Sequence, residues 1–142
     1  MTEVPEHFYT QSAVLPYRIL DGRVEILLVS SRRKKRWVLP KGVVEAGLSA
    51  VDSAVKEAWE EAGLEGLATS HTVGTYRYEK WGGVCTVQVF PLQVERLSES
   101  WPESTRDRRW FAPQEAARRV QEPDLKRLMI RFAESLLAAG PD

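Results

Sequence analysis

The chain has 142 residues, of which 43% are hydrophobic and 28% are charged, and its 20 Lys and Arg balance its 20 Asp and Glu. This composition is typical of one soluble globular domain, and the zero net charge argues against a protein that coats nucleic acid or membrane surfaces. No stretch has the length of a membrane span, and residues 1–10 lack the basic and apolar segments of a signal peptide. We therefore predict a cytoplasmic protein without nucleic-acid or membrane partners.

The first strands are predicted from short apolar runs. Residues 12–20 and 24–30 form two such runs, and Asp21-Gly22 between them is a strong signal for a hairpin turn. Residues 41–48 contain glycine and read as a loop. The sequence therefore predicts an antiparallel hairpin that leads, through a loop, into a helix.

That helix is predicted for residues 49–62. Ser49 and Asp52 match a capping box with the serine as N-cap, and Gly63 suits a left-handed C-cap. Between these ends, small and aliphatic side chains recur at helical spacing and predict a stripe that packs closely on a sheet. The stripe consists of Val51, Ala54, Val55, Ala58 and Ala62.

The second half of the chain mixes strand and helix patterns. In chain order, the predictions are strands at 67–78 and 84–95, a turn at 81–83, a polar loop at 97–107, a short strand at 109–112, and helices at 114–120 and 124–139. Pro123 separates the two helices. The single cysteine, Cys85, excludes an intrachain disulfide and is expected to be buried in its strand. Strands mixed with two or three helices predict an α/β (α+β) sandwich.

Three glutamates on the predicted helix are the strongest indication of chemistry. Glu57, Glu60 and Glu61 stand at positions i, i+3 and i+4, so they crowd one helix face and repel one another. A divalent cation such as Mg²⁺ relieves this repulsion, because it takes carboxylate oxygens as ligands. The alternative for such a group taken alone is a solvated acidic patch.

The segment 42–64 resembles the Nudix box, G-x5-E-x7-R-E-U-x-E-E-x-G-U, where U is aliphatic. The matching positions are Gly42, Glu57, Ala58, Glu60, Glu61, Gly63 and Leu64. Two positions depart, since Leu48 replaces the first glutamate and Lys56 replaces the arginine. The resemblance extends beyond the box, because segments at 24–31, 36–40, 60–66 and 106–111 are similar to the diphosphoinositol polyphosphate phosphohydrolase branch, which includes diadenosine polyphosphate hydrolases. Lys41 after Pro40 looks more like some diadenosine tetraphosphate hydrolases.

This resemblance implies the Nudix fold, an α/β/α sandwich with a central mixed β-sheet, as a single domain over residues 1–142. It implies Mg²⁺ as cofactor, with Mn²⁺ as a possible substitute. The implied metal-binding residues are Gly42, Glu57, Glu60 and Glu61, and the candidates for the catalytic base within the box are Glu57 and Glu60. A fourth carboxylate from the polar loop is open among Glu99, Glu103 and Asp107.

The implied reaction is hydrolysis of a diphosphate linkage in a highly phosphorylated small molecule, which needs fixed positive charge for the phosphates. The candidate substrate-binding residues are Arg18, Arg32, Arg36, Lys41, Arg106 and Arg108. Arg106 and Arg108 alternate, so we expect both side chains on one face of a strand. For each cation the alternative is a solvated side chain, or an ion pair that orders its own loop.

Two kinds of function stay open from the sequence. The first is a hydrolase whose substrate is a diadenosine polyphosphate or a diphosphoinositol polyphosphate, with ADP-ribose and nucleoside triphosphates as further alternatives. The second is a catalytically weakened Nudix module that binds a nucleotide or an inositol phosphate, which the departures at Leu48 and Lys56 would suit. The oligomeric state is also left open by the sequence.

Overall fold

The computed structural model of this protein describes residues 8–80 and 82–139, in which eight strands form one sheet and three helices pack on it. The strands are β1 (Phe8–Leu20), β2 (Arg23–Ser30), β3 (Trp37–Val38), β4 (Lys41–Val43), β5 (Leu64–Ala68), β6 (Gly74–Lys80), β7 (Gly83–Leu97) and β8 (Arg108–Phe111). The helices are α1 (Ala50–Ala62), α2 (Pro113–Arg119) and α3 (Pro123–Ala139). Of these described helices, none combines the length and hydrophobicity that crossing a bilayer requires.

Strand β1 lies at the centre of the sheet and makes it mixed. It pairs antiparallel with β2 and β4 and parallel with β7, and the strand order is β3-β2-β1-β7-β5. Beside this path, β6 pairs with β7 and β8 pairs with β2. The two-residue turn between β1 and β2 has positive φ at Asp21 and Gly22, as the hairpin signal predicts.

Alternate residues of β1 pack against different helices, because successive side chains of a strand point to opposite faces. Ala13 lies in the buried cluster that contains Leu125 and Met129 of α3. Its neighbour Val14 lies in the cluster that contains Ala58 of α1. Helix α1 therefore covers one face and α3 the other, which confirms the predicted α/β/α sandwich with a central mixed sheet.

Both ends of α1 have the caps that the sequence predicts. The Asp52 N–H donates to the Ser49 hydroxyl oxygen at 3.1 Å, which satisfies one of the free amides of the first turn. Gly63 has φ 66° and donates its N–H to the Trp59 carbonyl oxygen at 2.9 Å. The rotation and axial position of the helix are thereby fixed, and with them the positions of its glutamates.

The prediction of one continuous strand over residues 67–78 is wrong. The structure has two strands here, β5 and β6, and both pair antiparallel with the same edge of the 15-residue strand β7. Residues 69–72 between them are polar and exposed, and the Thr69 hydroxyl donates to the His71 carbonyl oxygen. This local hydrogen bond offers the backbone an alternative to the ladder, so the chain leaves the sheet and rejoins it at Gly74.

Smaller differences concern segment ends. The predicted loop 41–48 begins with β4, which pairs with β1, and Pro123 starts α3 instead of separating two helices, since proline suits the first helical turn. Cys85 is fully buried in β7, as expected. The predicted turn at 81–83 lies partly outside the described residues.

We expect Gly66→Ala to lower the free energy of unfolding by about 1–3 kcal/mol, which urea denaturation would measure. A β-carbon at Gly66 would lie 2.0 Å from the Gln93 carbonyl oxygen of β7, and a backbone oxygen cannot move away without breaking the β5–β7 pairing. The matched control is Leu67→Ala in the same strand, because Leu67 is exposed. A loss at Gly66 no larger than the loss at Leu67 would contradict the close approach of these strands.

Candidate active site

The carboxyl groups of Glu57 and Glu61 lie one turn apart on α1, close enough for each to affect the pKa of the other. Glu61 is only 6% exposed, and its carboxylate accepts a hydrogen bond from the Lys41 N–H at 3.2 Å. Burial raises the pKa of Glu61 to about 8, and the neighbouring Glu57 adds to this while Arg106 opposes it. Burial also raises the pKa of Glu57. When no cation is bound, the raised pKa values favour protonation, which removes the charge repulsion between the two carboxyl groups.

Gly42 of β4 packs directly against this pair. A β-carbon at Gly42 would lie 2.5 Å from the Glu57 carboxylate oxygen Oε2, so only glycine leaves room for the carboxylate. Gly42 pairs with Ser12 of β1. The Ser12 hydroxyl is completely buried and has no hydrogen-bond partner among the described residues, although a buried unsatisfied polar group costs about 1–3 kcal/mol.

The carboxylate of Glu60 is held in an ion pair with Lys56. It lies 3.2 Å from the Lys56 ammonium, which also lies 2.6 Å from the Glu45 carboxylate of the preceding loop. In this structure the Glu60 carboxylate is paired with Lys56, and the described residues contain no group of three or more Asp, Glu, His or Cys side chains placed for a metal. The assignment of Glu57, Glu60 and Glu61 as metal ligands stays a prediction. The sequence shows that Lys56 and Glu60 stand at i and i+4. It does not show whether Glu60 pairs with Lys56 or joins the other two glutamates around a cation.

Of the three loop carboxylates left open by the sequence, Glu103 lies nearest to the pair. Its N–H donates to the Glu60 carbonyl oxygen at 2.9 Å, and its charge contributes to the raised pKa of Glu57. Glu99 is exposed, and Asp107 lies 3.9 Å from the Lys34 ammonium instead. The loop before β8 thus brings one carboxylate to the exposed side of α1.

A cleft of about 330 Å³ opens beside the carboxylate pair. It is lined by Gln11, Ser31, Arg32, Arg36, Val38, Lys41, Glu61, Tyr78 and Arg106. Four of the six predicted substrate-binding cations therefore converge on one cavity with Glu61 in its wall. The Tyr78 hydroxyl donates to the Gln11 side-chain oxygen at 2.6 Å, which joins two lining residues that the sequence analysis missed.

Arg106 is the buried cation of this cleft, with 9% exposure. Its guanidinium holds the Glu103 carboxylate at 2.8 and 3.0 Å, donates to the Ser30 carbonyl oxygen at 3.2 Å, and lies 3.9 Å from the Glu61 carboxylate. Arg106 thereby ties the loop before β8 to both β2 and α1. The residue precedes β8, so the expectation that Arg106 and Arg108 share one face of a strand is wrong.

Arg108 and Arg18 do not line the cleft. The Arg108 guanidinium donates to the Ala62 and Ser98 carbonyl oxygens at 2.8 and 2.7 Å and lies over the Trp101 ring, so it caps the end of α1. Arg18 pairs with Glu25 at 2.6 Å. It stands seven residues along β1 from Gln11, which is about 23 Å in a strand. Both arginines therefore have partners in local structure, and their assignment to substrate phosphates stays a prediction.

A family model for the NUDIX domain matches residues 10–132. The chain belongs to the Nudix family. It is 35% identical over 121 residues to the mouse diphosphoinositol polyphosphate phosphohydrolase 3-alpha, covering 82% of this chain and 72% of that one. It is 28% identical over 148 residues to the Arabidopsis thaliana mitochondrial Nudix hydrolase 12, covering 89% and 73%.

Among solved structures, a C. elegans Ap4A hydrolase binary complex has a TM-score of 0.69 at 25% identity, covering 92% of this chain and 98% of that one. Including two further plant Nudix hydrolases, the chain spans 63–73% of the length of its curated relatives. What those longer proteins act on is therefore a proposal for this chain. The cytoplasmic location also stays a prediction, since one relative is named as mitochondrial.

The residues at the Nudix box fit a divalent metal ion. Two adjacent carboxyl groups, of which Glu61 is buried and Glu57 is half-buried, form a donor set that a hard cation prefers, and Gly42 leaves room for the Glu57 carboxylate. Glu57 and Glu61 would hold the ion, together with the Gly42 backbone carbonyl. Glu60 would join them only after leaving Lys56.

The raised carboxyl pKa values predict how the metal-free protein responds to pH. Because the pKa of Glu61 is about 8 when folded and 4.5 ordinarily, the folded state holds a proton that the unfolded state releases between these values. This stabilising contribution is complete below about pH 4.5 and is lost as the pH rises through about 8. In EDTA, we expect the unfolding free energy to fall over that range, and to fall less in Glu61→Gln.

Exposed Glu95 on β7 provides the control, since Glu95→Gln should keep the pH dependence of the wild type. Chemical denaturation at several pH values would measure all three proteins. An identical pH dependence in wild type and Glu61→Gln would show that the pKa of Glu61 is not raised.

Proposed function

We propose that this protein is a metal-dependent Nudix pyrophosphohydrolase that cleaves a diphosphate linkage in a highly phosphorylated small molecule. The observation that carries the proposal is the cleft in which Arg32, Arg36, Lys41 and Arg106 surround a wall formed by Glu61. Cations at this density suit several phosphates at once, while the neighbouring carboxylates suit the metal that such chemistry needs.

Each group has a distinct role in this proposal. Bound Mg²⁺, with Mn²⁺ as a possible substitute, supplies neutralisation of phosphate charge and a lowered pKa for water. Glu57 and Glu61 hold the ion beside Gly42. Of the two candidates for the catalytic base, Glu57 is better placed than Glu60, because Lys56 binds the Glu60 carboxylate. The cleft cations orient the substrate phosphates against this edge of α1.

The preferred substrates are diphosphoinositol polyphosphates and diadenosine polyphosphates. The mouse relative is named for the first class and the C. elegans structure for Ap4A, the second. The cleft suits recognition of phosphates better than stacking on a base, because the ring of its lining residue Tyr78 already has partners. Lys41 lies over the Tyr78 ring, and Tyr76 stacks with the same ring. ADP-ribose and nucleoside triphosphates are alternatives with fewer phosphates for these cations.

The alternative is a weakened module that binds such a molecule without cleaving it. Two features favour this alternative. Glu60 is in an ion pair with Lys56, and Leu48 stands in place of a box glutamate. A panel of diphosphoinositol pentakisphosphate, a diadenosine polyphosphate, ADP-ribose and ATP, each with Mg²⁺ or Mn²⁺, would decide by phosphate release and product mass. Binding without product in every combination would overturn the hydrolase and establish the module.

We expect Glu57→Gln to lower turnover by about 100-fold or more while the protein stays folded, because the amide keeps the size of the side chain but removes the charge. The control is Glu65→Gln, which removes a carboxylate from exposed β5. Turnover measured at saturating Mg²⁺ and thermal melting in EDTA would be compared. Near-normal turnover in Glu57→Gln would remove this residue from the active site.

Arg32 provides a test of the phosphate contacts with a matched control in the same loop. Arg32 lines the cleft with an exposed side chain, and its neighbour Arg33 does not line it. Loss of a charge-assisted hydrogen bond, about 1.5–3 kcal/mol, should raise KM for the most phosphorylated substrate by roughly 10- to 100-fold in Arg32→Ala and spare kcat. Equal effects in Arg32→Ala and Arg33→Ala would indicate general attraction instead of a contact.

A further inference from the structure

Ser12 is a buried polar residue that the proposed mechanism does not use. It lies in the middle of β1, it is 0% exposed, and its hydroxyl has no hydrogen-bond partner within the described part of the chain. Other buried serines are satisfied; the Ser98 hydroxyl, for example, donates to the Ser100 carbonyl oxygen at 2.7 Å. A fully buried hydroxyl without a hydrogen-bond partner is unusual and needs an explanation.

The register of the sheet shows which way the Ser12 side chain points. Ser12 is paired directly with Gly42 in the antiparallel β1–β4 ladder, and directly opposed residues project to the same face. On that face, the Glu57 carboxylate lies within 3 Å of the position that a β-carbon of residue 42 would take. The Ser12 hydroxyl therefore faces the side of the sheet on which the Glu57 carboxylate lies.

A second observation places Ser12 on the same face independently. Val14, two residues further along β1, packs in the buried cluster that contains Ala54 and Ala58 of α1. Residues i and i+2 of a strand share a face, so Ser12 also points toward α1. Ala58 is the immediate neighbour of Glu57 on that helix. The hydroxyl is thus enclosed between β1, β4 and the part of α1 that carries the carboxylate pair.

We propose that Ser12 is a positioning residue for Glu57, and that its hydroxyl donates a hydrogen bond to the Glu57 carboxylate when the metal ion is bound. The inference rests on the proposed function, because it assumes that Glu57 holds a divalent cation. Carboxylates that ligate metals are usually oriented by a second hydrogen bond, and removing such a partner weakens metal affinity about 10- to 100-fold. Ser12 supplies this donor from a strand, where packing fixes its position.

The experiment measures Mn²⁺ affinity and melting in EDTA for the wild type, Ser12→Ala and the control Ser98→Ala. Mn²⁺ binding is followed by the electron paramagnetic resonance of the free ion, without substrate. We expect Ser12→Ala to bind Mn²⁺ at least about tenfold more weakly and to melt in EDTA no lower than the wild type, since the hydroxyl has no partner to lose. Ser98→Ala should melt lower and bind Mn²⁺ normally, because its hydrogen bonds lie within its own turn.

Each other result has a separate meaning. Equal Mn²⁺ affinity in the wild type and Ser12→Ala would overturn the role of Ser12 and leave the proposed function intact. A clear drop in the EDTA melting temperature of Ser12→Ala would show that the hydroxyl supports the metal-free fold, which also contradicts the proposal. Absence of Mn²⁺ binding by the wild type would overturn both this inference and the metal-dependent function.

Discussion

The contact between two carboxyl groups of α1 and the glycine of β4 is the constraint on which the site depends. The Glu57 carboxylate can lie beside Glu61 in its present position because Gly42 leaves the space that a β-carbon would fill. The alanine stripe of α1 lets the helix approach, and the caps at Ser49 and Gly63 fix its ends. Ordinary packing thus holds two carboxyl groups side by side with raised pKa values, and a cation that binds between them can take the place of the proton.

The cations of the cleft come from elements other than α1, which carries the two carboxyl groups. Arg32 and Arg36 come from the loop after β2, Lys41 from β4, and Arg106 from the loop before β8. Arg106 connects these cations with the carboxylates, because its guanidinium lies 3.9 Å from the Glu61 carboxylate and 2.8 Å from the Glu103 carboxylate. A phosphate entering this cleft would meet cations on three segments whose positions are set by one sheet, so binding needs little rearrangement of the backbone.

The sequence predicts those features whose signals are local. The hairpin at Asp21-Gly22, both caps of α1 and the spacing of the glutamates depend on residues within a few positions of each other. The contacts of Arg18 and Arg108 depend on partners that only the fold supplies, such as the Ala62 carbonyl oxygen, and the sequence does not show these partners. Ser12 gives no sequence signal of its own, because its relation to Glu57 exists only through the pairing of β1 with β4.

Of the two departures from the Nudix box, Lys56 contacts Glu60, and Leu48 lies exposed ahead of the N-cap. Lys56 reaches Glu45 as well as Glu60, so a loop carboxylate three positions before Leu48 takes up the lysine charge. An ion that recruited Glu60 would have to break only an exposed ion pair, which is weak in water, and Lys56 would keep Glu45 as its partner. The departures are therefore compatible with a metal site built on Glu57 and Glu61 that draws in Glu60 on loading.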